Sequence, residues 1–409
     1  MTEYNLEIRK SINDYFENIY LSKYPMEIRE MLIYLFNNGK RLRPILFLAF
    51  NHIELEKSHR ISGENVWIEY AVEIELLHCL SLVIDDLPEM DNDLERRGKS
   101  CFHIVYGLQK THFFIYYMFS KLSSNITHFN HLIDKQIKPI TTISKLEANK
   151  EANKEANKAT SNLVEQLIFD DITFIMNYLI NNLIDGQYID INSQTYLSSN
   201  LQNKIDTNIQ IIMKVIMLIY QEGENDNIIK NHIILSIKKT GTLFALPILT
   251  GFILQLYKKK LNYTGDEVIY DEFYIPNTLK TEHLENEYSI SNPVSSTASS
   301  TASRNKLDMD DDNMINLMMT WASLLGFLFQ TTDDFLDMEN DLLHNKPNIC
   351  NIIGVENSKK LLSKCTHLTR ELFDYIIINL HRIWTDIVID RNSIYSILDL
   401  IVSRYQLKK

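Results

Sequence analysis

Two clusters of aspartates stand on segments that are otherwise apolar. The first belongs to AVEIELLHCLSLVIDDLPEMDND (residues 71–93) and contains Asp85, Asp86 and Asp91. Asp85 and Asp91 are six residues apart, so they would not share a face of a continuous helix. Pro88 should interrupt the helix and let the chain bring Asp91 round towards Asp85.

The second cluster follows a helical spacing. In LLGFLFQTTDDFLD (residues 324–337), Gln330, Asp333, Asp334 and Asp337 fall at i, i+3, i+4 and i+7. Like charges at i,i+4 destabilise a helix by roughly 0.2–0.5 kcal/mol. The penalty grows near a buried surface unless a cation neutralises the charges.

These clusters offer oxygen ligands and no cysteine, which is the donor set that Mg²⁺ prefers. One isolated cluster of this kind is equally compatible with a helix end, an N-cap or a solvent-exposed face. Two such clusters on separate apolar helices favour a magnesium site.

Basic residues stand at three places where they could meet an anion: GKRLRP (39–44), RRGK (96–99) and KKTG (238–241). Each alone could also be a helix terminus or a solvated charge. Arginine binds phosphate oxygens bidentately, and lysine acts as a compact charge. Metal ions and cations can draw a diphosphate leaving group off carbon, while apolar walls protect the carbocation from water. The combination therefore predicts diphosphate chemistry.

Helices must position these groups. The 409 residues include only 11 Gly and 8 Pro and are 45% apolar, which favours an all-α fold. Helical patterns fill residues 1–124, and apolar periodicity returns at 162–257 and 314–409. Low-complexity insertions are predicted at about 123–160, which contains three EANK units, and at about 258–313. We predict one domain, 1–409, interrupted by two insertions.

The formal net charge of −12 should repel nucleic acid and anionic lipid, so an anionic substrate needs local cations. Cysteines stand at four scattered positions, which suits a reducing compartment. No apolar run reaches the ~20 residues of a membrane span, and no targeting segment is recognisable. A cytoplasmic location is expected, with a plastid-type or mitochondrial organelle as the alternative if a leader was trimmed.

The motifs together resemble those of trans-prenyl diphosphate synthases of the bacterial and plant branch. The matching blocks are GKRLRP (39–44), DDLPEMDNDLERRGK (85–99), DGQYID (185–190), KTG (239–241), FQTTDDFLD (329–337) and the tail around Arg404. The resemblance implies a single all-α bundle around a deep apolar cavity. It also implies head-to-tail condensation of isopentenyl diphosphate with dimethylallyl, geranyl or farnesyl diphosphate, several Mg²⁺ ions per site, and a homodimer or a heteromer.

The resemblance further assigns roles to single residues. The diphosphate of isopentenyl diphosphate would be held by Lys40, Arg43, His78 and Arg97. Mg²⁺ would be bound by Asp85, Asp91, Asp333 and Asp337, with Asp86 and Asp334 supporting. The allylic diphosphate or the developing cation would meet Arg96, Lys239, Thr240 and Gln330. Gln187 would face the cavity, and Lys346 aligns with a lysine that contacts phosphate.

Product length should depend on Leu80 and Ser81, which stand where family members floor the cavity. Neither is aromatic, which favours a C20 (geranylgeranyl) or longer product. Aromatic residues of the next helix, Phe113, Phe114, Tyr116 and Tyr117, are the alternative closure.

Three departures from the family's pattern keep other functions open. Ile84 replaces a common histidine, and the bulky aromatic segment THFFIYYMF (111–119) replaces an acidic helix of small residues. A lysine-bearing loop after Asp337 is also shortened. The shortened loop would suit a catalytically weak or regulatory subunit of a heteromeric enzyme. A terpene cyclase or head-to-head synthase would share the metal chemistry but would not need GKRLRP.

Overall fold

The computed structural model describes residues 2–37, 39–51, 65–122, 124–125, 177–190, 226–262, 306–343, 346–383 and 389–405. The EANK units and most of both predicted insertions lie outside these residues. The described helices nevertheless enter the second predicted insertion from both sides, ending at Asn262 and beginning again at Lys306.

Regular structure in the described residues is almost wholly helical, as the sequence predicted. The helices are α1 (Glu3–Asn18), α2 (Met26–Phe36), α3 (Leu42–Asn51), α4 (Val66–Asp85), α5 (Phe102–Tyr106), α6 (108–122), α7 (177–190), α8 (Asp226–Leu235), α9 (Thr242–Asn262), α10 (Lys306–Leu343), α11 (Ile349–Ile353), α12 (Val355–Ile383) and α13 (Arg391–Ser403). A short 3₁₀ helix spans Tyr20–Lys23, and a π-helical turn, Ser236–Gly241, joins α8 to α9. Strands β1 (Glu95–Arg96) and β2 (Lys99–Ser100) form an antiparallel hairpin.

Side-chain caps fix the starts of several helices. The Asn65 side chain accepts hydrogen bonds from the backbone N–H groups of Trp67 and Ile68 at the start of α4. Asn348 caps α11 and Asp390 caps α13 in the same manner. Such caps satisfy N–H groups that the first turn of a helix leaves free, and each stabilises a helix by about 1 kcal/mol.

The core forms where α3, α4, α9 and α10 pack together, with α12 against the outer side of α10. All residues of α3 are buried, and α4 is buried over most of its surface. A helix that is apolar on every side belongs in the interior of a large domain. The two acidic clusters therefore stand on central helices, which holds them in place.

Among the described residues, two helical stretches are long and apolar enough to cross a membrane by composition alone: Ile228–Leu256 and Met314–Leu343. Their apolar windows are 83% and 72% buried inside the fold. Their hydrophobicity is therefore accounted for by the protein core.

Candidate active site

The first acidic cluster is shaped by the end of α4. The helix stops at Asp85, just before Pro88. The chain then folds back, so that the Asp91 N–H donates to the Asp85 carbonyl oxygen at 2.9 Å. This is the return that the proline predicted, and it places the Asp85 and Asp91 side chains on the wall of one cavity.

The hairpin that follows positions two arginines. Arg97 and Gly98 occupy the turn, and both have positive φ (56° and 73°), which the tight two-residue connection between the strands requires. Arg96 donates to Asp86 and, at 2.9 Å, to Asp93. Arg97 stays exposed at the tip of the turn. Arg96 is thus tied to the acidic cluster, and Arg97 is available to an anion.

A π-helical turn carries Lys239 and Thr240. Such turns insert one extra residue into a helix and are frequent at functional sites. Close packing holds this turn: a Cβ on Gly186 of α7 would lie 2.8 Å from the Lys239 nitrogen, and one on Gly326 of α10 would lie 2.3 Å from the Gly241 Cα. Only glycine allows α7 and α10 to approach the turn this closely.

Lys239 lies between two carboxylates. Its Nζ is 3.2 Å from Asp85 Oδ1 and 2.6 Å from Asp190 Oδ2. Burial lowers the pKa of Lys239, but the negative charges of Asp85 and Asp190 outweigh this effect and raise its pKa above the ordinary value. Lys239 therefore stays protonated and positively charged beside the first acidic cluster.

The second acidic cluster turns its carboxylates in different directions. Asp337 is exposed, whereas Asp333 is partly buried and pairs with Arg404 of the C-terminal segment. Burial raises the pKa of Asp333 to about 6, although Arg404 opposes the shift. Asp334 is 1% exposed and lies 2.9 Å from His232 Nε2.

A cavity of about 660 Å³ brings the two clusters together. Its polar lining includes Asp85, Asp91, Arg96, Gln187, Lys239, Thr240, Gln330, Asp333, Asp334, Asp337 and Lys346, and it also includes Arg43 and His78. Its apolar lining includes Leu77, Leu82, Ile84, Phe119, Leu183, Leu235, Leu243 and Phe329. Such a cavity has the size and mixed lining of a small-molecule site.

The cavity wall differs from the expectation at two points. Ser81 lines the cavity, but Leu80 packs into the core at 1% exposure. The helical phase of α6 points Phe113 and Tyr116 to solvent, at 59% and 70% exposure. Phe119 of the same helix lines the cavity instead, so the wall was predicted on the right helix with the wrong residues.

A cationic group lies next to His78. Arg43 is buried, with its guanidinium 4.6 Å from the Phe244 ring centroid. Its Nε has no hydrogen-bond partner among the described residues, nor has Nη1 of Arg404. Burial is the main cause, and the positive charge of the neighbouring Arg43 the second, of a pKa of His78 well below its ordinary value. His78 is therefore neutral. Burial, and to a lesser extent the positive charge of Arg404, lower the pKa of Lys40. These groups are suited to an anion.

Lys346 crosses the cavity mouth. Its Nζ is 2.8 Å from Asp91 Oδ1, although Lys346 follows α10 and Asp91 follows α4. Its backbone N–H donates to the Asp341 carbonyl oxygen at 2.9 Å, which anchors the short connection. The shortened loop therefore still delivers one lysine to the acidic clusters.

Most of the binding residues assigned from the sequence line this cavity, but Lys40, Asp86 and Arg97 do not. Asp86 and Arg97 line a smaller pocket that shares Arg96 with it. The cavity lining also includes Asp190, His232 and Asp341, to which the sequence assigned no role, and Arg404 pairs with Asp333. DGQYID and the C-terminal tail pointed to Asp190 and Arg404. His232 gave no signal, because a histidine on an apolar helix is usually part of the core.

The donor set fits Mg²⁺ in kind. Asp85, Asp91, Asp333 and Asp337 supply only oxygen atoms, and all four line one cavity. Within the described ranges, no three potential ligands converge on one point. The nearest partners of Asp85, Asp91 and Asp333 are Lys239, Lys346 and Arg404. Protein cations therefore neutralise the carboxylates that a metal would use.

Sequence comparisons agree on one family. The model of the family described as polyprenyl synthetase matches residues 25–266. A 107-residue stretch is 41% identical to geranylgeranyl pyrophosphate synthase 10, mitochondrial, of Arabidopsis thaliana and covers 25% of this chain and 29% of that protein. A 110-residue stretch is 38% identical to a dimethylallyltranstransferase of Fischerella ambigua and covers 26% and 30%. The chain thus spans under a third of these curated relatives.

Solved structures extend the similarity to nearly the whole chain. A geranyltransferase from Helicobacter pylori aligns over 98% of this chain and 99% of its own, with a TM-score of 0.52 and 16% identity. An FPP/GFPP synthase from Zymomonas mobilis aligns over 98% and 100%, also with a TM-score of 0.52 and 16% identity. At this identity the likeness concerns the fold, which is the helical bundle predicted.

Proposed function

Because the chain belongs to the polyprenyl synthetase family, we propose that it condenses isopentenyl diphosphate head-to-tail with an allylic diphosphate. One observation carries the proposal: a single cavity joins two aspartate clusters to a buried arginine, Arg43, whose Nε has no partner in the described part of the chain. A desolvated cation with an unused donor favours an anionic ligand, because a buried charge is costly unless it is paired.

The cationic group around His78 would hold isopentenyl diphosphate. Arg43 and Arg97 supply planar donors for phosphate oxygens, and Lys40 adds a compact charge. Neutral His78 can donate or accept one further hydrogen bond without competing for the anion. Arg404 lies close enough to Lys40 to affect its pKa, and its Nη1 has no partner among the described residues, so it would join them. This end of the cavity would therefore fix the nucleophilic alkene.

The aspartate-lined end would hold the allylic diphosphate. Mg²⁺ would be held by Asp85 and Asp91 on one wall and by Asp333 and Asp337 on the other, and when bound it would neutralise the diphosphate and assist its departure from carbon. Lys239, Arg96 and Lys346 would add positive charge to the same leaving group. Asp86 ties Arg96 in place, and Asp334 supports α10 from within the fold.

The remaining steps need positioning more than side-chain chemistry. The allylic C–O bond breaks, the electron pair leaves with diphosphate, and the isopentenyl alkene forms the new C–C bond. The departing diphosphate takes the proton that restores the double bond, so no side-chain base is required. Gln330 and Thr240 would face the developing cation, and Leu82, Leu235 and Leu243 would keep water away.

Product length would follow from the depth of the cavity. Along α4, the cavity lining runs from Asp85 back to Leu77, eight residues or about 12 Å away. Ser81 leaves room on this wall, while Leu77 and Phe119 narrow the deep end. We propose a C20-type (geranylgeranyl) or longer product.

A catalytically weak or regulatory subunit is the second candidate, favoured by the shortened loop before Lys346. One named relative is a heterodimeric geranylgeranyl pyrophosphate synthase large subunit from Arabidopsis thaliana. A terpene cyclase or head-to-head synthase is less well supported, because neither uses isopentenyl diphosphate and so neither needs Lys40 and Arg43 to bind it.

A product assay would test these candidates. The purified chain would be incubated with Mg²⁺, isopentenyl diphosphate and each of the three primers, and the products identified by mass spectrometry. Chelation by EDTA and the variant Asp85→Ala serve as controls. Elongation that needs Mg²⁺ and is lost in Asp85→Ala supports condensation. Cyclised products, or no product from folded protein with any primer, would reject it.

A homodimer is proposed on the strength of one apolar surface. Ile104, Val105, Phe113 and Tyr116, on α5 and α6, are 50%, 46%, 59% and 70% exposed. A row of large exposed apolar side chains typically marks an interaction surface. Light scattering should show that the wild type is a dimer and that the double variant Phe113→Ser/Tyr116→Ser is a monomer. A monomeric wild type would leave the heteromer as the working model.

The compartment is a separate proposal. Relatives named mitochondrial and chloroplastic support an organelle, and the scattered cysteines, all free and buried, suit any reducing compartment. Localising a full-length fluorescent fusion in the source cells would distinguish an organelle from the cytoplasm that the sequence predicted.

A further inference from the structure

His232 is a buried polar residue that the proposed mechanism does not use. Its side chain is 2% exposed, and its Nε2 is 2.9 Å from Asp334 Oδ2. Neither ring nitrogen of His232 forms a hydrogen bond of good geometry among the residues that the structure describes, so the approach of Nε2 to Asp334 is a close polar contact. Burying two polar groups together is costly unless each satisfies the other, so the contact requires an explanation.

Asp334 is surrounded by donors from three elements. Its Oδ1 accepts from Gln330 Nε2 at 3.0 Å, within α10. Its Oδ2 accepts from the Ile349 N–H of α11 at 2.8 Å and lies next to His232 of α8. Only 1% of the side chain is exposed. Asp334 therefore behaves as an internal anchor, in contrast to the exposed Asp337 one turn further along.

The hydrogen bonds continue from Asp334 to the cavity wall. Because the Gln330 amide nitrogen points to Asp334, its oxygen must point the opposite way. Thr240 Oγ1 donates to this oxygen at 3.1 Å. The sequence of contacts His232–Asp334–Gln330–Thr240 thus links α8, α10 and the π-helical turn. Breaking it would free the amide to rotate.

We propose that His232 is a positioning residue: by holding the Asp334 carboxylate, it fixes the Gln330 amide and the Thr240 hydroxyl in the orientation that the allylic substrate meets. The inference rests on the proposed function, because it assumes that Gln330 and Thr240 face the substrate. The Ser236 hydroxyl donates to the His232 carbonyl oxygen at 2.7 Å and secures the helix just before the turn. His232 is thus well placed to set the geometry of Thr240.

Steady-state kinetics of His232→Leu and His232→Gln would test this role. Leucine keeps much of the volume and removes the donor, and glutamine restores an N–H. His232→Leu should lower kcat/KM for the allylic primer by about 10- to 100-fold, the effect of losing a polar contact with a charged group. KM for isopentenyl diphosphate should change by no more than about twofold, and His232→Gln should recover most of the loss.

His103→Leu is the matched control. His103 is buried, its Nδ1 also has no partner among the described residues, and it lies outside the cavity lining. Its substitution should lower the melting temperature but leave the kinetic constants of folded protein within about twofold. If His232→Leu behaves like His103→Leu, the positioning role is overturned and His232 serves stability alone.

Two further measurements keep the tests separate. If the wild type condenses no substrate, the proposed function fails, and calorimetric titration with Mg²⁺ and inorganic diphosphate still tests His232. Binding should then weaken about tenfold in His232→Leu, and equal affinity overturns the inference. If His232→Leu does not fold, His232→Gln is combined with Thr240→Val and the same binding is titrated. Non-additive effects support one connected chain, and additive effects refute it.

Discussion

Arg43→Met should stabilise the ligand-free protein while weakening its substrate binding. Arg43 is 5% exposed, and its Nε has no partner in the described part of the chain. Burial lowers its pKa to about 10, against the attraction of Glu75. Methionine keeps the flexible apolar stem and removes the charge. Arg43, which we expect to bind diphosphate, should therefore destabilise the protein when no ligand is bound.

The size of the effect follows from the pKa. A fall from 12.5 to about 10 corresponds to a cost of about 3 kcal/mol for keeping the buried side chain charged, at 1.36 kcal/mol per pKa unit. The contacts with the Phe244 and Phe329 rings return about 0.5–2 kcal/mol. Arg43→Met should therefore raise the free energy of unfolding by about 1–2.5 kcal/mol.

Arg41 provides the control, because it is equally buried and fully paired. It donates to Glu75 Oε1 at 3.1 Å, to Asn13 Oδ1 at 3.0 Å and to the Phe36 carbonyl oxygen. Arg41→Met would leave the Glu75 carboxylate buried without this cation. Removing one partner of a buried ion pair destabilises by about 3–5 kcal/mol. Two arginines in GKRLRP should thus respond with opposite signs.

Urea denaturation of the wild type and both variants, without ligand, measures these differences. Steady-state kinetics of folded Arg43→Met should show KM for isopentenyl diphosphate raised about 10- to 100-fold, because a charged hydrogen bond is lost. A loss of stability of 1 kcal/mol or more in Arg43→Met would refute the argument. It would mean that Arg43 is satisfied in the empty protein.

Three further predictions concern the metal, the pH and the product. Inorganic diphosphate should bind about 5- to 150-fold tighter with Mg²⁺ than without. Asp333→Asn should reduce this difference in affinity, which calorimetry measures. An equal difference in the wild type and in Asp333→Asn would count against Asp333 as a ligand. Burial, and to a lesser extent the negative charge of Glu69, raise the pKa of Glu73 to about 8. Folded protein therefore binds this proton more tightly than unfolded protein does, and the free energy of unfolding should fall as the pH rises from about 5 to about 8. Urea melts of Glu73→Gln should lack this fall, and a parallel decline in both proteins would contradict it. Ser81→Phe should give a shorter product, as measured by mass spectrometry. An unchanged chain length would exclude Ser81 from the cavity floor.

The sequence predicted the helices and both acidic clusters because local rules determine them. Pro88 fixed the end of α4, and the i, i+3, i+4, i+7 spacing placed the second cluster on one helix. The partners of these aspartates follow no local rule. Arg404 reaches Asp333 across 71 residues, and Lys239 reaches Asp190 across 49. Only the tertiary packing of the helices determines such pairs.

The cavity wall shows a second limit. An aromatic segment indicates that a helix has large side chains, but the phase of that helix decides which ones face inward. On α6, Phe119 faces the cavity and Phe113 faces solvent. His232 illustrates the same limit, because its polar role depends on Asp334, 102 positions away by their residue numbers.

The ion pairs of the empty site also explain how its ligands would depend on each other. Asp85, Asp91 and Asp333 lie next to Lys239, Lys346 and Arg404, so each group avoids the cost of a lone buried charge. A metal ion that takes the carboxylates would leave these cations unpaired, and a diphosphate that takes the cations would leave the carboxylates unpaired. Bound together, the two ligands satisfy both sets of charges. The pairing in the empty site is therefore the physical reason to expect Mg²⁺ and diphosphate to bind cooperatively.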